Sequence, residues 1–108
     1  MTKTITIESI NADGSLKLSD NGVTVASPGD TILWIIAPKS GVKAITAIQD
    51  NSSIDVFNPN PAPVGGSSNW SGQVTLGLQK CEEDYTIIFT RESDDITYKF
   101  DPKIQVDS

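Results

Sequence analysis

Short runs of alternating apolar and polar residues, separated by turn-forming residues, cover most of this 108-residue chain. In the run TITIESI, Ile5 and Ile7 share one face of an extended strand, and threonines share the other. The runs QVTLGLQ and ITYKF repeat this alternation. Such alternation is typical of β-strands with one buried face, and no long segment has the period of an amphipathic helix. The sequence therefore predicts an all-β protein.

The spacing of the turn signals predicts how the strands are arranged. Gly, Pro, Asn and Asp cluster roughly every ten residues, a spacing typical of β-sandwiches and small barrels. The length of 108 residues is that of one domain. We therefore expect a single domain over residues 1–108, folded as an antiparallel Greek-key β-sandwich of about 8 strands.

Four segments carry sharper local predictions. TILWIIA (31–37) is apolar on both faces, which predicts a central strand covered on both sides. In VKAITAIQD (42–50) apolar residues recur at every third position, which indicates a short helix or a bulged strand, and its β-branched residues favour the strand. Asn-Gly in DNG (20–22) predicts a type I′ hairpin turn. Pro102 lacks a backbone N–H, so its strand should lie at an edge or be interrupted there.

Charge and hydropathy limit the partners and the compartment. The net charge is −6 with scattered Lys and Arg, whereas nucleic acids and anionic membranes need clustered basic residues. No apolar run approaches the ~20 residues of a membrane span. The start MTKTITIESI lacks the apolar region of a signal peptide, which favours a cytoplasmic protein, although removal of a signal peptide before Met1 would leave the same pattern. A single cysteine, Cys81, allows no internal disulfide.

Three segments, taken in their order along the chain, resemble strands of a known family. SPGDTILWII (27–36) resembles the cupredoxin strand often written Pro-Gly-Asp-x-Val-x-Trp. EEDYTIIFT (82–90) followed by KIQV (103–106) resembles the last two strands of that family. The resemblance spans residues 14–106 and implies a cupredoxin-like fold. The ending DPKIQV is also similar to copper-free cupredoxin-like domains of bacteria, a group largely of unassigned function.

The residues that bind copper in this family are missing from the chain. A type 1 copper site uses two histidines, one cysteine and usually a weak axial methionine. The chain contains no histidine, its only methionine is Met1, and Thr90 stands near the place of the family's cysteine. The segment TRESDDIT (90–97) stands where the copper-binding loop would be. We therefore expect no copper, no metal site and no cofactor.

The sequence offers no convincing nucleophile for catalysis. Cys81 lies beside the acidic run EED (82–84), and neighbouring carboxylates disfavour the reactive thiolate. Serine and threonine hydroxyls are abundant, but the usual histidine base is absent and only a lysine base is possible in principle. We expect no catalytic residue and a non-enzymatic protein.

The acidic segments leave two interpretations open. EED (82–84), ESDD (92–95) and DNSSID (50–55) could supply oxygen ligands to calcium, but their spacing matches no known calcium loop. A carboxylate pair could also serve glycoside hydrolysis, which would need a cleft. Solvated loop ends that keep the protein soluble are the favoured interpretation, and a weak calcium site is the alternative.

The proline- and glycine-rich segment FNPNPAPVGGSSNWSG (57–72) is the best candidate for a recognition surface. Trp34, in the most apolar strand, is expected in the core. Trp70 either contacts a partner or folds back over the open end of the sandwich.

We predict a non-enzymatic, metal-free interaction module for an unknown protein or small ligand. Its possible contact residues lie in this segment and are Phe57, Pro61, Pro63 and Trp70. Addition of a partner's strand to a sheet edge is a second mode of binding. The alternative function is a carbohydrate- or calcium-binding lectin-like domain that uses Trp70 and the acidic loops.

Overall fold

The computed structural model describes residues 1–50, 56–58, 60–93 and 96–107, and these residues form two packed β-sheets without a helix. The all-β prediction is therefore confirmed. Ten strands are present among the described residues: β1 Thr2–Ile10, β2 Leu16–Leu18, β3 Val23–Ala26, β4 Thr31–Ile36, β5 Val42–Asp50, β6 Ala62–Pro63, β7 Trp70–Gln73, β8 Cys81–Arg91, β9 Thr97–Phe100 and β10 Lys103–Val106. No helix of the described chain is long and apolar enough to cross a membrane.

The two sheets form a β-sandwich, and both of them are mixed. The first sheet has the order β2-β1-β4-β7-β6, and the second has the order β3-β10-β8-β5 with β9 also paired to β8. β1 runs parallel to β4, and β3 runs parallel to β10, whereas the other pairings are antiparallel. The expectation of a purely antiparallel sandwich is corrected at these two pairings. They arise because consecutive strands often enter opposite sheets instead of forming hairpins.

The turn at residues 20–22 shows this difference most clearly. Asn21 and Gly22 have φ values of 60° and 84°, as a type I′ turn requires. However, β2 pairs with β1 and β3 pairs with β10, so the predicted hairpin is wrong. The Asp20 carboxylate accepts hydrogen bonds from the Gly22 N–H and the Thr24 hydroxyl. Local turn chemistry therefore fixes the bend, while burial of the flanking strands decides which sheet each of them joins.

β4 is a central strand, as its sequence predicts. It lies between β1 and β7, and its inward side chains Ile32 and Trp34 are fully buried. The outward side chains Leu33 and Ile35 are only half-buried, so the predicted cover on both faces is partial. The core position of Trp34 is confirmed.

β5 is the bulged strand that its unusual period favoured. Val42, Ile45 and Ile48 are buried, and the pairing of β5 with β8 shifts register twice, between Val42 and Ala44 and between Ile45 and Ala47. Each shift adds one residue to the ordinary two-residue repeat. Apolar side chains at a spacing of three thus reach the core from a strand.

Pro102 interrupts the last run, as predicted. It separates β9 from β10, and its carbonyl accepts a hydrogen bond from the Tyr85 N–H at 3.0 Å. β10 is an internal strand between β3 and β8, so the proline marks a break and not an edge. This division is one reason why the strand number exceeds the expected eight.

Three aromatic rings form the centre of the core. Trp34, Phe57 and Tyr85 contact one another edge to face, with ring centroids 5.7–5.8 Å apart. The Trp34 Nε1–H donates a hydrogen bond to the Tyr85 hydroxyl at 3.2 Å. Because β4 and β8 belong to opposite sheets, this bond joins the two layers of the sandwich.

Candidate functional site

The structure places two of the predicted contact residues in the core. Phe57 is 1% exposed and Trp70 is 9% exposed, so neither offers a side chain to a partner. This burial argues against contact roles for Phe57 and Trp70 and agrees with the alternative in which Trp70 packs against the sandwich, while a recognition role for the rest of the segment stays a prediction. Pro61 is half-buried and Pro63 is exposed. Pro59 lies outside the described residues.

The proline-rich segment is held against the first sheet by close backbone contacts. Pro63 pairs with Trp70 in the β6–β7 ladder. A Cβ atom on Gly72 would lie 3.1 Å from the Cα and Cγ atoms of Pro61, a distance shorter than most carbon contacts. The absence of a side chain at Gly72 therefore lets Pro61 approach strand β7 closely.

The acidic segments do not come together as a metal centre in the described chain. Across residues 1–50, 56–58, 60–93 and 96–107, no three His, Cys, Asp or Glu side chains are close enough to bind one ion. Lys103 lies 3.6 Å from Glu82 and 3.7 Å from Asp84, so the segment 82–84 is engaged in exposed ion pairs. Residues 51–55 of the segment DNSSID (50–55) and residues 94–95 of the segment ESDD (92–95) lie outside the described residues.

Cys81 begins β8 and is half-buried. Burial raises the pKa of its thiol, and the Glu83 carboxylate raises it further. A raised pKa lowers the thiolate fraction at neutral pH and hence the nucleophilicity of the sulfur. Cys81 therefore has the environment of an unreactive thiol.

A cleft of about 530 Å³ opens where three connections meet at one end of the sandwich. These are the turns between β1 and β2, between β4 and β5, and between β8 and β9. The loop-end cleft is lined by Ile10, Asn11, Ala12, Ser40, Gly41, Arg91, Glu92 and Ser93.

Backbone contacts hold the walls of the loop-end cleft together. The Glu92 N–H donates to the Gly41 carbonyl at 2.9 Å, which joins the β8–β9 connection to the β4–β5 connection. Gly41 has a φ of 89°, and a Cβ there would lie 3.5 Å from Cδ1 of Ile10. The buried Ser40 hydroxyl accepts a hydrogen bond from the Val42 N–H at 3.2 Å. Two distant turns and the end of β1 thus form one continuous surface.

Arg91 provides the positive charge of the cleft in a defined position. Its guanidinium carbon lies 4.9 Å from the centre of the Tyr98 ring, and Nη2 donates to the Ser93 hydroxyl at 3.3 Å. The Tyr98 ring in turn stacks on Phe89, with centroids 5.9 Å apart. Glu92 supplies an exposed negative charge beside it. The cleft therefore contains a positively charged donor and a negatively charged acceptor, together with neutral hydrogen-bonding groups. This set suits a polar or zwitterionic group.

Ser40 and Lys43 have the Ser-x-x-Lys spacing of some serine acyltransferring enzymes, which our sequence reasoning overlooked. Ser40 is buried in the turn before β5, and Lys43 is exposed on β5. The Ser40 hydroxyl accepts a hydrogen bond from the Val42 N–H. The buried serine and the exposed lysine thus lie in different environments, which does not favour a nucleophile–base pair.

The donors near the loop-end cleft do not fit a type 1 copper site. The chain has no histidine, and Cys81 lies at the opposite end of β8 from Arg91. The cleft instead carries a guanidinium, an amide, hydroxyls and one carboxylate, which do not make the nitrogen and thiolate set that copper needs.

The sequence matches no protein-family model and no curated protein. The functional assignment therefore depends on the geometry. Of the cleft residues, the sequence drew attention to Arg91, Glu92 and Ser93 only, because they lie in the segment that resembles the position of the cupredoxin copper-binding loop. Residues such as Asn11 and Ser40 carry no motif that relates them, since three separate turns bring them together.

Proposed function

We propose that the protein is a non-enzymatic binding module for a protein or small-ligand partner, built on a cupredoxin-like scaffold that lacks the copper ligands. The strand order supports the scaffold. The chain passes from one sheet to the other at the β2–β3, β3–β4, β4–β5, β5–β6 and β7–β8 connections, as Greek-key sandwiches do.

The loop-end cleft is the binding site in this proposal, and its geometry is the observation that carries it. Arg91 is positioned by Tyr98 and Ser93 before any ligand arrives, so little side-chain entropy is lost on binding. Ile10 gives the cleft an apolar wall, and Asn11 adds an amide. A polar segment of a partner can thus be held by charge and hydrogen bonds in one place.

Three features of the chemistry support a role in binding and not in catalysis. The chain has no histidine to act as a base, and burial of Cys81 raises the pKa of its thiol. Ser40 accepts a backbone hydrogen bond and is buried apart from the exposed Lys43. We also retain as predictions a cytoplasmic location and the absence of a nucleic-acid partner, which the net charge of −6 supports.

Selection from a random peptide library displayed on phage tests the cleft as a binding site. The selected peptide is synthesised, and its Kd is measured for the wild type, for the double variant Arg91→Gln with Glu92→Gln, and for Lys80→Gln. We expect the double variant to bind about tenfold more weakly or worse, because it loses charge-assisted hydrogen bonds. Lys80 precedes β8 at its other end, so its variant is the matched control.

Two results would contradict this proposal. Equal affinity of the selected peptide for all variants would place the binding site elsewhere. A rise in Tm with calcium chloride or with simple sugars, combined with no selected peptide, would favour the lectin-like alternative, because a ligand of the native state stabilises it.

A further inference from the structure

The edge strands of the two sheets differ in how well their backbone groups are protected from pairing with another chain. Among the described residues, β2 and β6 are the outer strands of the first sheet, and β3 and β5 are those of the second, where β9 also has one side without a partner strand. An outer strand exposes backbone N–H and C=O groups that a second chain can pair with, and proteins block such edges with short length, lysine, proline or bulges.

Four of these edges carry such a block, which on β9 is the exposed Lys99. β2 has three residues, and its middle residue is the exposed Lys17. β6 has two residues, of which Pro63 has no N–H to donate. β5 is longer, but its two register shifts and the exposed Lys43 disturb its outer edge.

Apart from its short length, β3 carries none of these devices within its span. Its four residues, Val23–Ala26, include no charge and no proline, and their parallel register with β10 is unbroken. Thr24 and Ala26 are buried, whereas Val23 is 40% exposed and Val25 is 49% exposed. The strand thus combines a regular backbone with two apolar side chains on its solvent face.

The hydrogen-bond pattern shows which backbone groups face outward. The Lys103 N–H donates to the Gly22 carbonyl, and the Asp107 N–H donates to the Ala26 carbonyl, both at 2.8 Å. Because a strand presents its backbone groups alternately to its two sides, the N–H and C=O of Val25 point away from β10. No strand of the described chain pairs with this side of β3.

We propose that β3 is a strand-addition site that receives an extended segment of a partner protein, separate from the loop-end cleft. The segment pairs antiparallel with β3, since antiparallel pairing is the more stable arrangement per residue. Its apolar side chains, at alternate positions, cover Val23 and Val25, which lie next to the Lys103 and Gln105 positions of β10.

Charge identifies the kind of segment that fits. Asp20 precedes β3, and Asp107 follows β10 beside Ala26. Lys103 of β10, next to Val23, places a positive charge close to this edge, and it is offset by its ion-pair partners Glu82 and Asp84 on β8, so the surroundings of β3 keep an excess of negative charge. The net charge of −6 adds a long-range attraction for cations and a repulsion between copies of this chain. The partner segment therefore has alternating apolar residues flanked by Lys or Arg.

The peptide acetyl-KVTVTVK-amide is the probe for this site. We expect its binding to slow hydrogen exchange of the Val25 amide, because that N–H enters the new ladder. The acidic peptide acetyl-EVTVTVE-amide should bind at least about tenfold more weakly, owing to repulsion. The variant Val25→Lys should weaken binding of the basic peptide by a similar factor, while Val64→Lys, at a valine of 38% exposure, should not change it.

Two N-methylated forms of the basic peptide separate strand addition from general apolar adsorption. One is methylated at the valines and the other at the threonines, so each lacks one alternate set of N–H donors. Strand addition requires that only one of the two forms binds. Equal binding of both forms, equal binding to Val25→Lys, or no binding of the basic peptide would overturn the proposal. So would a concentration-dependent dimer of the protein alone that Val25→Lys abolishes, because a second copy would then be the occupant.

Discussion

Replacement of Phe57 by alanine is expected to lower the free energy of unfolding by about 3–5 kcal/mol, as for other buried aromatic residues. Phe57 is 1% exposed and contacts the rings of Trp34 and Tyr85 edge to face. Its removal leaves a cavity between two rings that are themselves held by the Trp34–Tyr85 hydrogen bond. Urea denaturation followed by tryptophan fluorescence measures the change.

Leu76→Ala is the matched control for this prediction. Leu76 is 74% exposed, so its truncation should change the free energy of unfolding by less than about 0.5 kcal/mol. If Phe57→Ala were as stable as the wild type and instead lost affinity for a partner, Phe57 would be a contact residue, as the sequence alone had predicted.

Alkaline pH is expected to destabilise the protein through Tyr85. Burial raises the pKa of the Tyr85 phenol well above its ordinary value of about 10. Above this ordinary value the unfolded chain loses the phenol proton while the folded chain retains it. The free energy of unfolding therefore falls by up to about 1.4 kcal/mol per pH unit, until the pH reaches the raised pKa of the folded state.

The variant Tyr85→Phe isolates this contribution from the titration of lysines. At neutral pH it should cost about 1–2 kcal/mol, because the buried Trp34 N–H loses its acceptor. In alkali its loss of stability should be shallower than that of the wild type. Urea midpoints of both proteins, measured between about pH 9 and pH 11 around the ordinary phenol pKa, give the comparison. Parallel pH profiles would show that Tyr85 is ionised as readily in the folded state as in the unfolded state.

The alternation of side chains was sufficient to predict most strands, since it reflects burial of one face. The bulged strand β5 was also predictable from the sequence, because each register shift adds one residue to the apolar repeat. The core position of Trp34 was predictable for a similar reason, because it lies inside the most apolar strand. These features depend on local sequence and on which face of a strand is apolar.

The choice of partner strand was not predictable from local sequence. The Asn-Gly turn adopts the predicted conformation, yet β2 and β3 enter different sheets, because the turn fixes only two residues. Phe57 was misplaced for a related reason. It reaches the core through an isolated bridge to Val74, so no alternating run surrounds it.

The candidate sites were the least predictable features. The loop-end cleft joins turns from the start, middle and end of the chain, and no spacing rule relates them. The close approach of Pro61 to strand β7 depends on the missing side chain of Gly72, which no local pattern indicates. The open edge of β3 could be recognised only from the structure, by comparison with the other edges. The sequence alone does not mark it, because exposed valines are common in strands.

Amide hydrogen exchange resolved at single residues is the most direct test of a sandwich whose β3 edge is open to a partner. In the free protein, the amides of Thr24 and Ala26 should be protected by bonding to β10, in keeping with the register of these strands. The Val25 amide should exchange faster by a factor on the order of 100 or more, because it faces solvent. Equal protection of all three amides would contradict the open edge and the strand-addition site that depends on it.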